Sequence, residues 1–115
     1  MKNPLQYLVF TLTILLSIAC TKSETIEVKS LDALFIEVGS NIKYPSTALE
    51  DSIQGKVFIS FKVDDDGYTN DVEVMRGIRS DVDEEAKRVV QLLHFENLPD
   101  NMKTGMTIPI SFNLN

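Results

Sequence analysis

The sequence predicts an α+β fold in which a three-stranded antiparallel sheet packs against helices on one face. Three observations lead to this prediction: a hairpin pattern at residues 55–77, an amphipathic helix pattern after Ser80, and an alternating strand pattern at residues 106–114. An isolated hairpin is only marginally stable in water, so its apolar face needs the third strand and the helices as cover. The length of 115 residues, 43% of them hydrophobic, fits one such domain.

The hairpin is the central element of the predicted fold. Residues 55–63 alternate in the period of two of a strand with one buried face, and the apolar positions are Val57, Ile59, Phe61 and Val63. The acidic run 64–66 and Gly67 supply turn chemistry, because Gly67 can adopt a positive φ. Val72 and Val74 mark the inner face of the return strand.

Two helices are predicted before the hairpin. The first begins after Ser30, an N-cap residue, and its apolar stripe is expected to pack on the hairpin rather than bind a partner; the stripe consists of Leu31, Leu34, Phe35, Val38 and Ile42. The second is a short helix that begins at Pro45, which has no amide hydrogen to leave unpaired in a first turn. Its inner face is predicted to be Ala48, Leu49 and Ile53.

The main helix is predicted at residues 81–93, with Ser80 as its N-cap and acidic residues in its first turn. Its buried stripe is predicted to be Val82, Ala86, Val89, Val90 and Leu93. Residues 94–105 contain chain breakers and are predicted to form a loop. The last strand follows, and Pro109 places it at an edge of the sheet because proline cannot donate to a ladder.

The N-terminus has the pattern of a lipoprotein signal peptide. A positive start, an apolar run too short for a spanning helix and small residues precede Cys20, as in a bacterial lipobox. Residues 1–19 are therefore predicted to be cleaved and Cys20 lipidated, with an uncleaved anchor or plain secretion as the alternatives. Residues 20–29 are predicted to be a polar tether, whose nine residues after Cys20 reach roughly 30 Å at full extension. The folded domain is predicted at residues 30–115.

Composition argues against several classes of function. The net charge of −6, from 11 basic and 17 acidic residues without basic clusters, makes nucleic acid a poor partner. Asp64–Asp66 lack the ligand spacing of a calcium loop. Glu84 and Glu85 are adjacent and would point about 100° apart on a helix, so we do not expect them to act as an acid–base pair on one substrate. His94 is the only histidine and Cys20 the only cysteine, so we expect His94 to be a partly exposed loop residue rather than a base or ligand. We predict no enzyme, no metal and no cofactor.

Several motifs in order resemble the C-terminal domain of TonB energy transducers, in the form common in Bacteroidetes-type bacteria. The resemblance covers about residues 30–114. The motifs are Tyr44-Pro45-x-x-Ala48, Gly55-x-Val57, Asp66-Gly67, Asp83-Glu84-Glu85-Ala86 and Pro109-x-x-Phe112. The sequence resembles the docking end of a transducer; we expect no counterpart of the transducer's membrane helix and Pro-rich spacer. The family's usual Trp and Pro-Gly after the main helix are replaced by His94, Phe95 and Leu98-Pro99.

The resemblance implies a periplasmic module that captures an extended segment of an outer-membrane TonB-dependent transporter, or of another periplasmic protein, by adding it as a strand. The expected docking edge is Thr107, Ile108, Pro109, Ile110, Ser111, Phe112 and Asn113. An alternative role for Pro109 is to protect this edge from aggregation. An alternative function is a structural or regulatory homodimer that self-associates through the same strand. Either way, we expect the protein in the cell envelope, held by a lipid in a membrane that the sequence does not specify.

Overall fold

The computed structural model describes residues 24–114, so the predicted signal peptide and Cys20 lie outside the described residues. In chain order the elements are β1 (Ile26–Val28), α1 (Leu31–Asn41), α2 (Ser46–Glu50), β2 (Gly55–Val63), β3 (Thr69–Arg76), α3 (Ser80–Gln91), β4 (Leu93–Phe95), α4 (Asp100–Lys103) and β5 (Met106–Phe112). Within residues 24–114, no helix has the length and apolar character needed to cross a bilayer.

The main sheet has the strand order β3-β2-β5 and is antiparallel throughout, which confirms the predicted fold class. All four predicted apolar positions of β2 are buried, and Val72 and Val74 of β3 pack against the same core. Helix α3 packs on β2 and β3, while α1 packs on β5 and on α3. The core therefore lies between one face of the sheet and the helices.

A second, two-stranded sheet corrects two of the predictions. β1 pairs in parallel with β4, from Ile26 opposite Leu93 to Val28 opposite Phe95. The prediction of a tether at residues 20–29 is therefore wrong for residues 26–28, and the predicted loop at 94–105 contains a strand and a short helix. Each strand has only three residues and its partner is remote in the sequence, so neither produced a detectable local pattern.

The first helix begins where it was predicted, because the Ser30 hydroxyl accepts a hydrogen bond from the Ala33 amide at 3.3 Å. Leu34 and Val38 are buried, but Leu31 and Phe35 are exposed, which corrects the predicted stripe. α1 packs on β1, β5 and α3 along one row of side chains spaced by four residues, at positions 34, 38 and 42, and the neighbouring row with Leu31 and Phe35 lies outside this contact.

The two remaining predicted helices differ from expectation only in detail. In α2 Ala48 is buried, but Leu49 is 48% exposed, because a helix of one turn presents little more than one position to the core. α3 buries Val82, Ala86, Val89 and Val90 as predicted, and Leu93 is buried as part of β4. Its N-cap is Arg79 instead of Ser80, and the Asp83 carboxylate accepts the hydrogen bond of the Ile78 amide at 2.8 Å.

Candidate functional site

The predicted docking strand lies at one edge of the main sheet. β5 pairs with β2 over seven consecutive residues without a register shift, from Met106 opposite Phe61 to Phe112 opposite Gly55. In the strand order β3-β2-β5, no strand within residues 24–114 covers its other side. The strand ends at Phe112, so Asn113 and Leu114 of the predicted strand lie beyond its last paired residue.

The opposite edge of the sheet is less regular. Its strand, β3, shifts register against β2 twice, and Asp71 takes a positive φ of 50°. Such bulges bend an edge strand and increase its local twist, which discourages the addition of another strand. Asp71, Glu73 and Arg76 add exposed charges to this edge. Of the two edges of the main sheet, β5 is therefore the better template for an extended segment.

The inner face of β5 fixes the strand in the core. Ile108, Ile110 and Phe112 are each no more than 5% exposed, whereas Thr107 and Ser111 on the other face are exposed and Pro109 is half-buried. This alternation is the one that the sequence predicted. Because the inner side chains are held by packing, the backbone of the open edge is already in an extended conformation before any partner arrives.

Two residues that sequence reasoning did not assign to the site hold its end in place. The Tyr44 and Phe112 rings pack in a T-shaped arrangement, with centroids 5.5 Å apart and planes at 89°. The Tyr44 hydroxyl donates a hydrogen bond to the Ile53 carbonyl, and the Gln54 side-chain oxygen accepts one from the Leu114 amide at 2.9 Å. The Tyr44-Pro45 motif was the available signal, but it indicated only the start of a helix.

A polar cluster joins α2 to the start of α3. The Arg79 guanidinium contacts Asp51 and Asp81, each at 2.7 Å, and Thr47 donates a hydrogen bond to Asp81 at 2.6 Å. The bonds from Arg79 and then Thr47 hold the pKa of Asp81 well below its usual range. The cluster therefore joins α2 to the start of α3 through charge-assisted hydrogen bonds.

Glu84 and Glu85, the adjacent carboxylates of α3, lie in different surroundings. Glu85 accepts a hydrogen bond from the Lys43 amide at 2.6 Å and pairs with Arg88 at 2.8 Å, while Glu84 is exposed. Burial raises the pKa of Glu85, but the hydrogen bonds from Arg88 and Lys43 outweigh it and the net shift is downward. Glu85 is therefore engaged in contacts that hold α3 to the segment after α1, whereas Glu84 faces solvent.

The acidic turn also has a structural role. Gly67 has the predicted positive φ, at 93°, and one Asp64 side-chain oxygen accepts hydrogen bonds from the amides of Asp66 and Tyr68 at 3.0 and 2.9 Å. An aspartate that bonds to its own turn in this way is typical of a hairpin. Within residues 24–114, no group of three or more His, Cys, Asp and Glu side chains is placed to hold a metal ion.

His94 is half-buried as expected but lies in β4 instead of a loop. Its Nδ1 is 2.8 Å from a Glu27 carboxylate oxygen and its Nε2 is 2.8 Å from the Asp66 carbonyl oxygen. The hydrogen bonds to Glu27 and to Asp66 raise the pKa of His94 above its ordinary value. Sequence reasoning missed this arrangement because Glu27 lies 67 residues away, in the segment predicted to be a tether.

Comparison with known proteins agrees with the geometry. The family described as "Gram-negative bacterial TonB protein C-terminal" matches residues 40–114. The chain is similar in fold to two solution structures of the Helicobacter pylori TonB C-terminal domain. For residues 179–285 of that protein the identity is 23%, the TM-score is 0.54, and the match covers 68% of this chain and 74% of the other. For residues 194–285 the identity is 24%, the TM-score is 0.56, and the match covers 72% of this chain and 91% of the other.

No curated protein matches the chain. At these identities the solved structures establish the fold alone, whereas the family match spans more than half of the sequence. The same match includes the hairpin, the main helix and the edge strand β5. The chain therefore belongs to the family of Gram-negative bacterial TonB C-terminal domains.

Proposed function

We propose that the protein is a lipid-anchored periplasmic module that binds an extended segment of an outer-membrane transporter by strand addition to β5. The family to which it belongs is non-catalytic, associated with the cell envelope and with TonB-dependent transport. The observation that carries the proposal is the unbroken seven-residue pairing of β5 with β2, opposite an uncovered side within residues 24–114. Backbone groups on that side supply affinity for any extended chain.

The position of Pro109 indicates which amides face the open side. Proline has no amide hydrogen, so the ladder with β2 stays complete if Pro109 turns its nitrogen outward. Successive residues of a strand turn their amides to opposite sides. Thr107 and Ser111 then share the outward orientation and offer donors to a guest strand, while the carbonyl of Pro109 offers an acceptor between them.

A titration with transporter peptides tests the docking site. Synthetic plug segments of co-resident outer-membrane transporters are added to the ¹⁵N-labelled protein, and we expect chemical-shift changes along residues 107–113. Ser111→Pro removes one outward donor and is expected to weaken binding about 3- to 10-fold, the value of one hydrogen bond. Ser111→Ala is the matched control, because it keeps the amide and should keep the affinity.

Two results would contradict docking at β5. One is a titration in which a peptide binds but leaves residues 107–113 unchanged. The other is an equal loss of affinity in Ser111→Ala and Ser111→Pro, because recognition would then depend on the side chain.

The lipid anchor at Cys20 would keep this edge near a membrane. Since β1 begins at Ile26, only six residue steps separate it from Cys20, a reach of about 20 Å at full extension. Replacing Cys20 with Ser is expected to abolish incorporation of an acyl label and to move the protein out of the membrane fraction. Ser23→Ala in the same segment is the control. Unchanged fractionation and labelling in Cys20→Ser would contradict the anchor.

The second candidate function is self-association, because the open side of β5 fits a second copy of the chain as well as a transporter segment. Sedimentation at several concentrations separates the two. A dimer that persists on dilution and protects residues 107–113 from exchange favours self-association, and a monomer that binds plug peptides favours docking.

A further inference from the structure

His94 joins three segments that are far apart in the sequence. The residue itself belongs to β4, Glu27 belongs to β1, and Asp66 belongs to the hairpin turn between β2 and β3. The Tyr68 ring packs against the imidazole with ring centroids 4.5 Å apart. The backbone bond from the Phe95 amide to the Gly67 carbonyl, at 2.8 Å, holds β4 against the same turn independently of the side chain.

The partners of the imidazole determine its protonation. A carboxylate and a backbone carbonyl both accept hydrogen bonds and neither donates one, so both ring nitrogens must carry hydrogen for both bonds to form. The imidazolium meets this requirement, whereas each neutral tautomer can donate only one of the two bonds. Loss of the proton also removes the charge attraction to Glu27.

The surrounding charges also favour the cation. Glu96, which follows β4, adds to the effect of Glu27 on the pKa of His94. A surface cavity of about 360 Å³ beside the imidazole is lined by Asp65 and Asp66 of the turn, by Glu96, and by one basic residue, Lys103. Lys103 is paired with Asp100 at 3.1 Å. Carboxylates therefore predominate around the ring.

Other contacts also hold β1, which pairs with β4 along its three residues and packs on α1. The Ile26 amide donates to the Leu92 carbonyl at 2.8 Å and the Glu96 amide donates to the Val28 carbonyl at 3.1 Å, while Ile26 and Val28 bury their side chains. Among the strands of residues 24–114, only β4 pairs with β1, on one of its two sides. A strand of three residues at the end of a domain is of the kind that opens locally without global unfolding.

We propose that His94 is a pH-responsive clasp on β1, which holds the strand to the hairpin turn when protonated and lets it open more often when neutral. Protonation of His94 changes the fraction of molecules in which β1 is open. The buried side chains of Ile26 and Val28 keep β1 docked most of the time whether His94 is protonated or neutral. Each opening would release residues 26–29 and lengthen the tether by about 13 Å. Only this consequence, the longer tether, rests on the proposed lipid anchor at Cys20.

The direction of the pH dependence follows from linkage. The pKa of His94 is raised in the folded chain, so its contribution is fully present below the ordinary value of about 6.5 and is lost as the pH rises through the folded value. His94 has one pKa when β1 is docked and another when β1 is open. For each unit of difference between these two pKa values, the opening constant of β1 can increase by up to tenfold as the pH rises.

Hydrogen exchange on the whole 115-residue chain tests the clasp. The protection of the Ile26 amide, corrected for the intrinsic exchange rate, is measured from pH 6 to pH 9 while the His94 ring is titrated by NMR. We expect the protection of Ile26 to fall as the ring loses its proton, with the midpoint of the ring titration, and to stay below that of Ile59 in the central strand because β1 opens locally. The protection of Ile59 can fall by the same factor, because global unfolding also breaks the contacts of His94. No change at Ile26, or equal protection of the two amides, would overturn the proposal.

Three variants sharpen the test. Glu27→Gln should lower the pKa of His94 and flatten the pH dependence at Ile26, whereas Glu24→Gln, two residues before β1, should leave both as they are. His94→Phe keeps a ring beside Tyr68 and should give weak protection of Ile26 that does not vary with pH. If this variant does not fold, Glu27→Gln decides alone, since unaltered pH dependence there contradicts the clasp. None of these measurements involves lipid or a transporter peptide, so they are independent of the proposed function.

Discussion

Gly67 makes the contact between the hairpin turn and β4 possible. Its φ of 93° is rarely accessible to other residues, and a Cβ at this position would overlap the carbonyl oxygen of Phe95 and approach His94 Nε2 to 3.1 Å. The turn therefore approaches β4 closely only because a side chain is absent. The sequence predicted the positive φ from the turn pattern, but not the close approach, because β4 was not anticipated.

We predict that Gly67→Ala destabilises the domain by about 3 kcal/mol or more, since it adds backbone strain to a steric overlap. Gly39→Ala is the matched control. No atom lies within 4 Å of the added methyl there, and alanine in a helix interior should stabilise by about 0.5 to 1 kcal/mol. Urea unfolding of both variants measures the difference, and a loss of less than 1 kcal/mol in Gly67→Ala would contradict the close contact.

Phe35 shows the limit of pattern reasoning at single positions. Its spacing from Leu31 and Val38 is that of a core residue, yet it is 53% exposed. Periodicity defines a helical face to within about one residue row, whereas the width of the surface beneath the helix decides which row is covered. That width depends on β1 and β5, whose arrangement is a property of the tertiary structure.

Among the elements, α2 and α3 are joined by charge as well as by packing. The hydrogen bond from Thr47 of α2 to Asp81 of α3 joins the two helices, and Arg79, which also binds Asp81 locally, reaches Asp51 after α2. Charge patterning along α3 predicted an acidic first turn, but the partner of that turn comes from 34 residues earlier in the chain. The local half of the arrangement could thus be predicted and the long-range half could not.

We expect this cluster to make the protein sensitive to acid. The pKa of Asp81 is lowered in the folded chain, so its stabilising effect is present above the unfolded value of about 3.9 and is lost as the pH falls below it. Asp81→Asn should lower the thermal midpoint at pH 7, and the gap from the unmodified protein should narrow below pH 4. Asp65→Asn, in the exposed turn, serves as control. A gap that is the same at pH 3 and pH 7 would contradict this role.

Pro109 allows the two interpretations of β5 to be separated. Pro109→Val supplies an additional amide donor, which we infer to face the open side of the strand. If β5 binds guest segments, affinity for plug peptides should rise about 3- to 10-fold. If the proline protects the edge, the variant should aggregate at concentrations at which the unmodified protein is monomeric. Pro99→Ala, before α4, controls for the loss of a proline, and light scattering with peptide titration measures both outcomes.

At the scale of the whole molecule, the folded domain begins earlier than the sequence indicated. Ile26 is 7% exposed and Val28 1%, so β1 belongs to the core and the segment before α1 is structural. The large sheet and three of the helices were predicted because their patterns are local and at least five residues long. The small sheet was missed because three residues carry too little periodicity, and the family resemblance gave no information about residues 24–29.

We predict that a chain beginning at residue 30 is less stable than one beginning at residue 24 by about 3 to 6 kcal/mol, the value of burying two aliphatic side chains. The denaturation midpoint should fall while the fold of the main sheet persists in NMR spectra. The chain beginning at residue 24 should match the full sequence. Equal midpoints for the two shortened chains would show that β1 contributes nothing to stability.

The parallel pairing of β1 with β4 also affects the order of folding. Ile26 and Leu93 are 67 residues apart, so a chain that emerges from its N-terminus presents Ile26 well before its partner. The hairpin closes within microseconds once both of its strands exist. The first strand of the domain therefore completes its pairing late, and until residue 95 is present only α1 among its neighbours can cover its apolar side chains.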